Sequence, residues 1–185
     1  CIVSGAAAAW QLATGTFGVS AGKWYWEVLF VGGTNGNYHA GVMDIGAFNF
    51  GTHHAQDGVT TFYNGDAGEM FKGAADTFTT ANYGTMDGSA DVLGIALNVD
   101  DSQISMYKNG SAIVSDFDLD TPANLNFPLS AFHGSSQVSK FNFGGCSSFA
   151  ISSAANDENG YGVFEIAPPS GYLALCTKNL GSDGG

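Results

Sequence analysis

Short runs in which apolar and polar residues alternate, each closed by glycine, asparagine or aspartate, recur along most of this chain. A period of two is the mark of a β-strand with one buried face. Residues 23–31 (KWYWEVLFV) are aromatic and β-branched between Ala-Gly and Gly-Gly, and so predict a strand. Trp24 and Trp26 fall on one face of it and are assigned to the core. Residues 39–44 predict the next strand. Residues 60–63 and 69–72 predict a hairpin, because Asn64-Gly65 suits a tight turn whose central residues take positive φ. The clearest pair is 91–100 and 103–108, where Ile104 and Met106 share one face and Gln103, Ser105 and Tyr107 the other. Asn109-Gly110 turns the chain into 111–117, and 127–132 and 137–143 complete about nine strands at spacings of roughly 8–12 residues. The predicted fold class is all-β, an antiparallel β-sandwich.

Helical periodicity is absent. Residues 6–12 have the propensity for one helical turn, but Gly5 and the Thr-Gly-Thr at 14–16 do not extend it. Residues 147–160 are rich in Ser, Ala and Asn and read as a loop; 161–166 predict a last short strand. Pro168-Pro169 makes a rigid turn, 172–177 an apolar ending and 181–185 a frayed tail. The organisation expected is a sandwich over 1–145 with an extension, 146–185, packed on it.

Composition narrows what such a fold would meet. The net charge is −12 with five Lys and no Arg among 185 residues, so the clustered cations that release counterions from a phosphate backbone are missing. Nucleic acid and anionic lipid are therefore not expected partners. No apolar run approaches the ~20 residues of a spanning helix, and no membrane insertion is expected. Cys1, Cys146 and Cys176 are an odd number and make no disulfide framework, as suits assembly in a reducing cytoplasm. A chain opening on Cys1 reads as a fragment or a processed product.

Four motifs in order resemble the SPRY (B30.2) family: G-K-W-Y-W-E-V at 22–28, D-V-L-G-I-A-L-N-V-D at 91–100 with I-S-M-Y-K-N-G at 104–110, F-P at 127–128 and F-N-F-G at 141–144. Together they span residues 15–145. The end of the chain, with A-P-P-S-G-Y-L-A-L-C-T-K-N-L at 167–180, resembles the tail that follows SPRY modules in tailed-phage virion proteins. The resemblance implies a concanavalin-like jelly roll whose loops meet partners. It implies a non-enzymatic virion protein, assembled in the host cytoplasm into the capsid surface or a tail fibre, in a homo-oligomer. It would contact other virion proteins or a host-surface glycan or protein. Two rivals stand beside this: an intracellular SPRY adaptor that captures a peptide, and a carbohydrate-active enzyme on the same sandwich.

Searches for chemistry return little. Asp116, Asp118 and Asp120 alternate, but the sixth and twelfth positions of a calcium loop starting at Asp116 hold Thr121 and Phe127 instead of Gly and Glu. His53 and His54 are adjacent and diverge on an extended strand; with His39 and His133 they show no zinc spacing and read as solvated loop histidines. Glu69, Glu158 and Glu165 are not grouped as glycosidase acids are. No catalytic residue, metal or cofactor is assigned. The recognition candidates lie in loops at 32–38, 48–58, 78–90 and 134–137, rich in Gly, Asn, Thr and Ser, the composition of an adaptable polar contact surface. They are Asn35, Asn37, Tyr38, Phe48, Phe50, His53, His54, Tyr83 and His133.

Overall fold

A computed structural model describes residues 1–4, 10–32, 38–49, 54–56, 58–72, 81–86, 88, 90–119, 125–133, 137–145 and 147–183. Two sheets face one another. The seven-stranded sheet runs β1 (Ile2–Ser4), β11 (Val138–Asn142), β3 (Lys23–Val31), β7 (Val92–Asn98), β8 (Gln103–Lys108), β9 (Ser111–Asp118), with β12 (Leu173–Ala174) also paired to β3. The five-stranded sheet runs β2 (Trp10–Thr14), β10 (Phe127–His133), β4 (Tyr38–Met43), β5 (Thr60–Asn64), β6 (Glu69–Lys72). All pairings but β12–β3 are antiparallel.

The alternation in the sequence becomes the two faces of each sheet. Trp24, Trp26, Val28 and Phe30 of β3 join Leu93, Ile95 and Leu97 of β7 and Ile104 and Met106 of β8 in the core between the sheets. Tyr38, Ala40 and Val42 of β4 meet them from the other side with Tyr63 and Met70. Burying one such side chain is worth about 1.5–3 kcal/mol, so this layer dominates stability. The β8–β9 turn takes positive φ at Asn109 (49°) and Gly110 (86°), as the Asn-Gly pair predicts. At the far edges the sheets meet through Lys72 of β6, whose ammonium is 3.7 Å from Asp118 of β9 and sits over the Phe117 ring.

Several sequence expectations change. The stretch proposed as a helical turn holds β2 in its second half: Trp10, Leu12 and Thr14 alternate with Gln11 and Ala13, and cross-strand bonding to β10 overrides weak helical propensity. The strand expected at 161–166 reduces to one bridge, Ala155 with Phe164. The tail forms a short helix, α1 (Thr177–Asp183), in place of fraying from residue 181. Asp116 sits at a register shift with positive φ (51°), which breaks the alternation between Asp116 and Asp118; Asp120 lies outside the described residues.

The C-terminal segment is a third layer. Strand β11 covers Glu27 to Val31 along one edge of β3, and β12 takes the same edge at Trp24 and Tyr25. On the outer face Phe164 and Ala174 pack against Tyr25 and Ala96. The Tyr25 ring lies over Gly94, where any side chain would collide with its hydroxyl.

Candidate recognition surface

On the outer face of the five-stranded sheet a row of rings runs from edge to edge. Phe71 of β6 stacks on Phe62 of β5 (centroids 4.6 Å), and Phe62 stacks on His39 of β4 (4.2 Å). Trp10 of β2 covers His39 at 4.6 Å and meets His133 of β10 edge-on at 5.7 Å. The register makes this row: Trp10 pairs with His133, and Phe62 with Phe71. Phe62 also faces Gly41, where a methyl group would run into the Thr61 carbonyl and the Phe62 backbone. Trp10, Leu12 and His133 are half-buried, whereas His39, Phe62 and Phe71 are fully enclosed.

Phe48, His54 and Ala55, from the connection between β4 and β5, pack on this face. The neck of that connection is closed by the Asp44 N–H donating to the Val59 carbonyl at 3.0 Å. His54, in its middle, reaches His39: Nδ1 of His39 and Nε2 of His54 are 2.7 Å apart and share one hydrogen. The His54 ring also lies 5.0 Å from Trp10 and 5.1 Å from Phe62, and the Thr60 hydroxyl donates to the His54 carbonyl at 2.6 Å. Ala55 and Phe48 pack on the same cluster.

The predicted recognition residues therefore separate. His54 is buried, with 3% of its surface exposed, and is not a solvated loop histidine; His39 is equally enclosed. The physical reason is that His54 and Ala55 pack on an apolar sheet face. Tyr38 belongs to the core, stacked on Phe30 at 4.3 Å with its hydroxyl donating to the Met86 carbonyl at 2.7 Å. Tyr83 is half-buried against the core, and its N–H donates to the Gly68 carbonyl at 2.6 Å. Phe48 and His133 are half-buried on the ring face. Asn35, Asn37, Phe50 and His53 lie outside the described residues. Trp10, which no motif singled out, joins His54 to His133. The alternation of 10–14 was the available signal, and it was masked by the Ala run before it.

The opposite outer face is closed by a carboxylate. Glu27 is fully buried on β3; its Oε1 accepts the Ile166 N–H at 2.6 Å, and its Oε2 accepts the Glu165 N–H at 3.1 Å and the Asn142 side-chain amide at 2.9 Å. Burial pushes its pKa above the ordinary 4.5, and the three donors oppose that shift. Burial, with Glu27 nearby, also raises the Tyr25 phenol. Asp157 accepts from the Ala174 N–H at 2.8 Å, the Asn179 amide at 2.7 Å and the Tyr161 N–H at 2.7 Å. Glu158 and Glu165 hold turns, through Ser170 with Gly171 and through Ser152 with Ser153. Those bonds lower both pKa values. Each carboxylate is thus engaged in holding backbone. A groove of about 440 Å³ beside them is walled by Gly144, Gly160 and Gly162, with Lys178 over the Tyr161 ring at 4.4 Å and neither carboxylate nor imidazole in its lining. Among the described residues no group of three His, Cys, Asp or Glu is placed to hold a metal.

The family model of the SPRY domain matches residues 23–146, two-thirds of the chain. The chain belongs to the SPRY family. The SPRY domain of human HERC1 superposes with a TM-score of 0.64 at 19% identity, covering 80% of this chain and 89% of that one. A second human SPRY domain gives 0.59 at 19% identity, over 76% and 89%. No curated protein matches the sequence. SPRY domains are in general protein-interaction modules without catalysis, and the two-sheet architecture here is theirs.

Proposed function

We propose that this chain is a non-catalytic recognition module that captures a protein partner on the outer face of its five-stranded sheet. One observation carries the reading: the ring row there ends in the half-exposed pair Trp10 and His133, next to half-buried Leu12 and Phe48. The other sheet's outer face is filled by the C-terminal segment. Tryptophan in a packed setting with one open side is the usual anchor of an interface, and its truncation costs about 2 kcal/mol or more of binding. His133 offers an imidazole beside it, so the favoured partner is an extended peptide carrying an apolar side chain and a hydrogen-bonding neighbour. The test is selection of binders from a displayed random-peptide library on the full chain, followed by Kd measurements on Trp10→Ala and His133→Ala. Loss of about thirtyfold in affinity with Trp10→Ala supports the reading. Unchanged affinity in both variants refutes it.

A second reading is favoured by the tail. Residues 167–180, which resemble a phage virion tail, are built into the fold through β12, α1 and the Asp157–Asn179 bond, and so form a fixed layer suited to packing within an assembly. On this reading the same ring face contacts another virion subunit or a host-surface glycan or protein. Imaging the chain in symmetric copies on a particle would establish it, and a monomer that binds peptide with no particle association would remove it.

A further inference from the structure

Each sheet ends in two edge strands, β1 and β9 in one, β2 and β6 in the other. An edge strand offers a row of backbone N–H and C=O groups to any further strand, and folds blunt it with charge, bulges or shortness. Strand β9 carries Asp116 and Asp118 and is broken by a register shift. Strand β6 has four residues, Glu69 and Lys72 among them, and Lys72 reaches across to Asp118. Strand β1 has three residues. Strand β2 (WQLAT) has five, with no charge, no proline and an unshifted register against β10 from Trp10–His133 to Thr14–Leu129. Its ladder has a definite phase. The Gly15 N–H donates to the Pro128 carbonyl at 2.8 Å, so the odd-numbered residues of β2 bond to β10, and the N–H and C=O groups of Leu12 and Thr14 point away from it. Among the described residues no strand lies on that side.

We propose that β2 is a docking edge: an extended segment of a protein partner adds to it as a further strand, bonded to the backbone of Leu12 and Thr14. This deepens the recognition role proposed above and rests on it. Trp10 and Leu12 face the ring cluster, where they pack with Met43, Phe62 and Leu129. One set of alternate side chains on the incoming strand therefore continues the ring row. Ala13 points the other way, to a small apolar cleft of about 30 Å³ that it shares with Val3 of β1, Pro128 of β10 and Phe141 of β11. The second set of side chains meets that cleft, which is too small for a ring. The partner segment is thus uncharged over about five residues, with a bulky apolar side chain beside Trp10 and small apolar ones beside Ala13. Main-chain bonds supply affinity, and the two rows of side chains supply selectivity.

The test uses a peptide selected from a displayed random library on the full chain, with residue-resolved hydrogen exchange and a backbone N-methyl scan of the peptide. In the complex, amide protection at Leu12 and Thr14 is expected to rise at least about tenfold, because their N–H groups gain acceptors. Methylating the peptide's amides one at a time should weaken binding about tenfold or more at every second residue and leave the intervening ones within about threefold. Thr14→Pro removes one N–H that the β10 ladder does not use, and should weaken the peptide about tenfold. Should that variant not fold, exchange and the methyl scan on the wild type still decide. A bound peptide that leaves Leu12 and Thr14 unprotected, or a scan without a period of two, overturns strand addition. Such a peptide, if still lost with Trp10→Ala, leaves the recognition role standing. Strand addition that is indifferent to Trp10→Ala and His133→Ala instead overturns the role given to those rings. A library that selects no peptide overturns both. Protection at Leu12 and Thr14 that grows with the concentration of the chain alone means that a second copy takes the edge, and overturns the partner segment.

Discussion

The two outer faces of this sandwich are covered by different means. On the seven-stranded sheet, the C-terminal segment lies over Tyr25 and Glu27 and is held by charge-assisted bonds from backbone donors and Asn142 to one carboxylate. On the five-stranded sheet, Phe48, His54 and Ala55 of the β4–β5 connection pack on the ring face, with an imidazole–imidazole contact between His54 and His39 and half-buried rings at its margin. The first cover is a continuation of the core: Phe164, Ala174 and Ala96 close around Tyr25. The second brings His54 against His39, with His133 beyond Trp10 on the same face. The difference lies in which side chains fasten each cover.

Substitutions can break that contrast. The largest effect is expected at Phe164→Ala, where an enclosed ring in edge contact with Tyr25 (5.1 Å) is removed; denaturant unfolding should show a loss of about 3–5 kcal/mol. Glu27→Ala should cost about 3 kcal/mol, because it orphans two backbone N–H groups and the Asn142 amide. Should either change leave stability untouched, the C-terminal layer is not part of the core. On the other face, His54→Phe should cost less than about 1.5 kcal/mol at neutral pH, as it keeps a ring of similar size in place. Tyr38→Phe should cost about 1 kcal/mol through the single bond to the Met86 carbonyl.

The pH response sharpens the same contrast. The Glu27 pKa is raised on folding, so the native state holds its proton more tightly than the unfolded chain. Its contribution to stability is full below the ordinary carboxylate value of 4.5 and is lost as pH rises through the folded value. Subtracting the stability curve of Glu27→Gln from that of the wild type cancels Glu158 and Glu165, whose pKa values move down. The difference should decline with rising pH. A difference that climbs would mean that the three donors outweigh burial.

How much of this was legible in the chain depends on range. Strand β3 is readable from its aromatic and β-branched content between glycines, and the run β7–β8–β9 from its alternation and the Asn109-Gly110 turn between β8 and β9. The short strands β1 and β2 are not, since three and five residues carry too little periodic signal. Both faces of β3 are buried, which a pattern of period two does not anticipate. Tyr25 and Glu27 look like an outward-facing row until Phe164 and Ile166 arrive from almost 140 residues away. The surroundings of two candidate residues escape the sequence for the same reason. His54 reads as a loop histidine because nothing local says that it packs against His39. Tyr38 was counted as a loop ring although it heads β4 and points inward. The family resemblance located the sheets, and only three-dimensional packing located the histidines.

The central claim is that recognition belongs to the ring face and not to the C-terminal layer. The most direct measurement is the affinity of one library-selected peptide for three forms of the full chain: wild type, Trp10→Ala, and Val163→Ser, the last on the exposed surface of the C-terminal layer. The account predicts that Trp10→Ala weakens binding by about thirtyfold while Val163→Ser stays within about twofold of wild type. Binding that survives Trp10→Ala and is lost with Val163→Ser would contradict it.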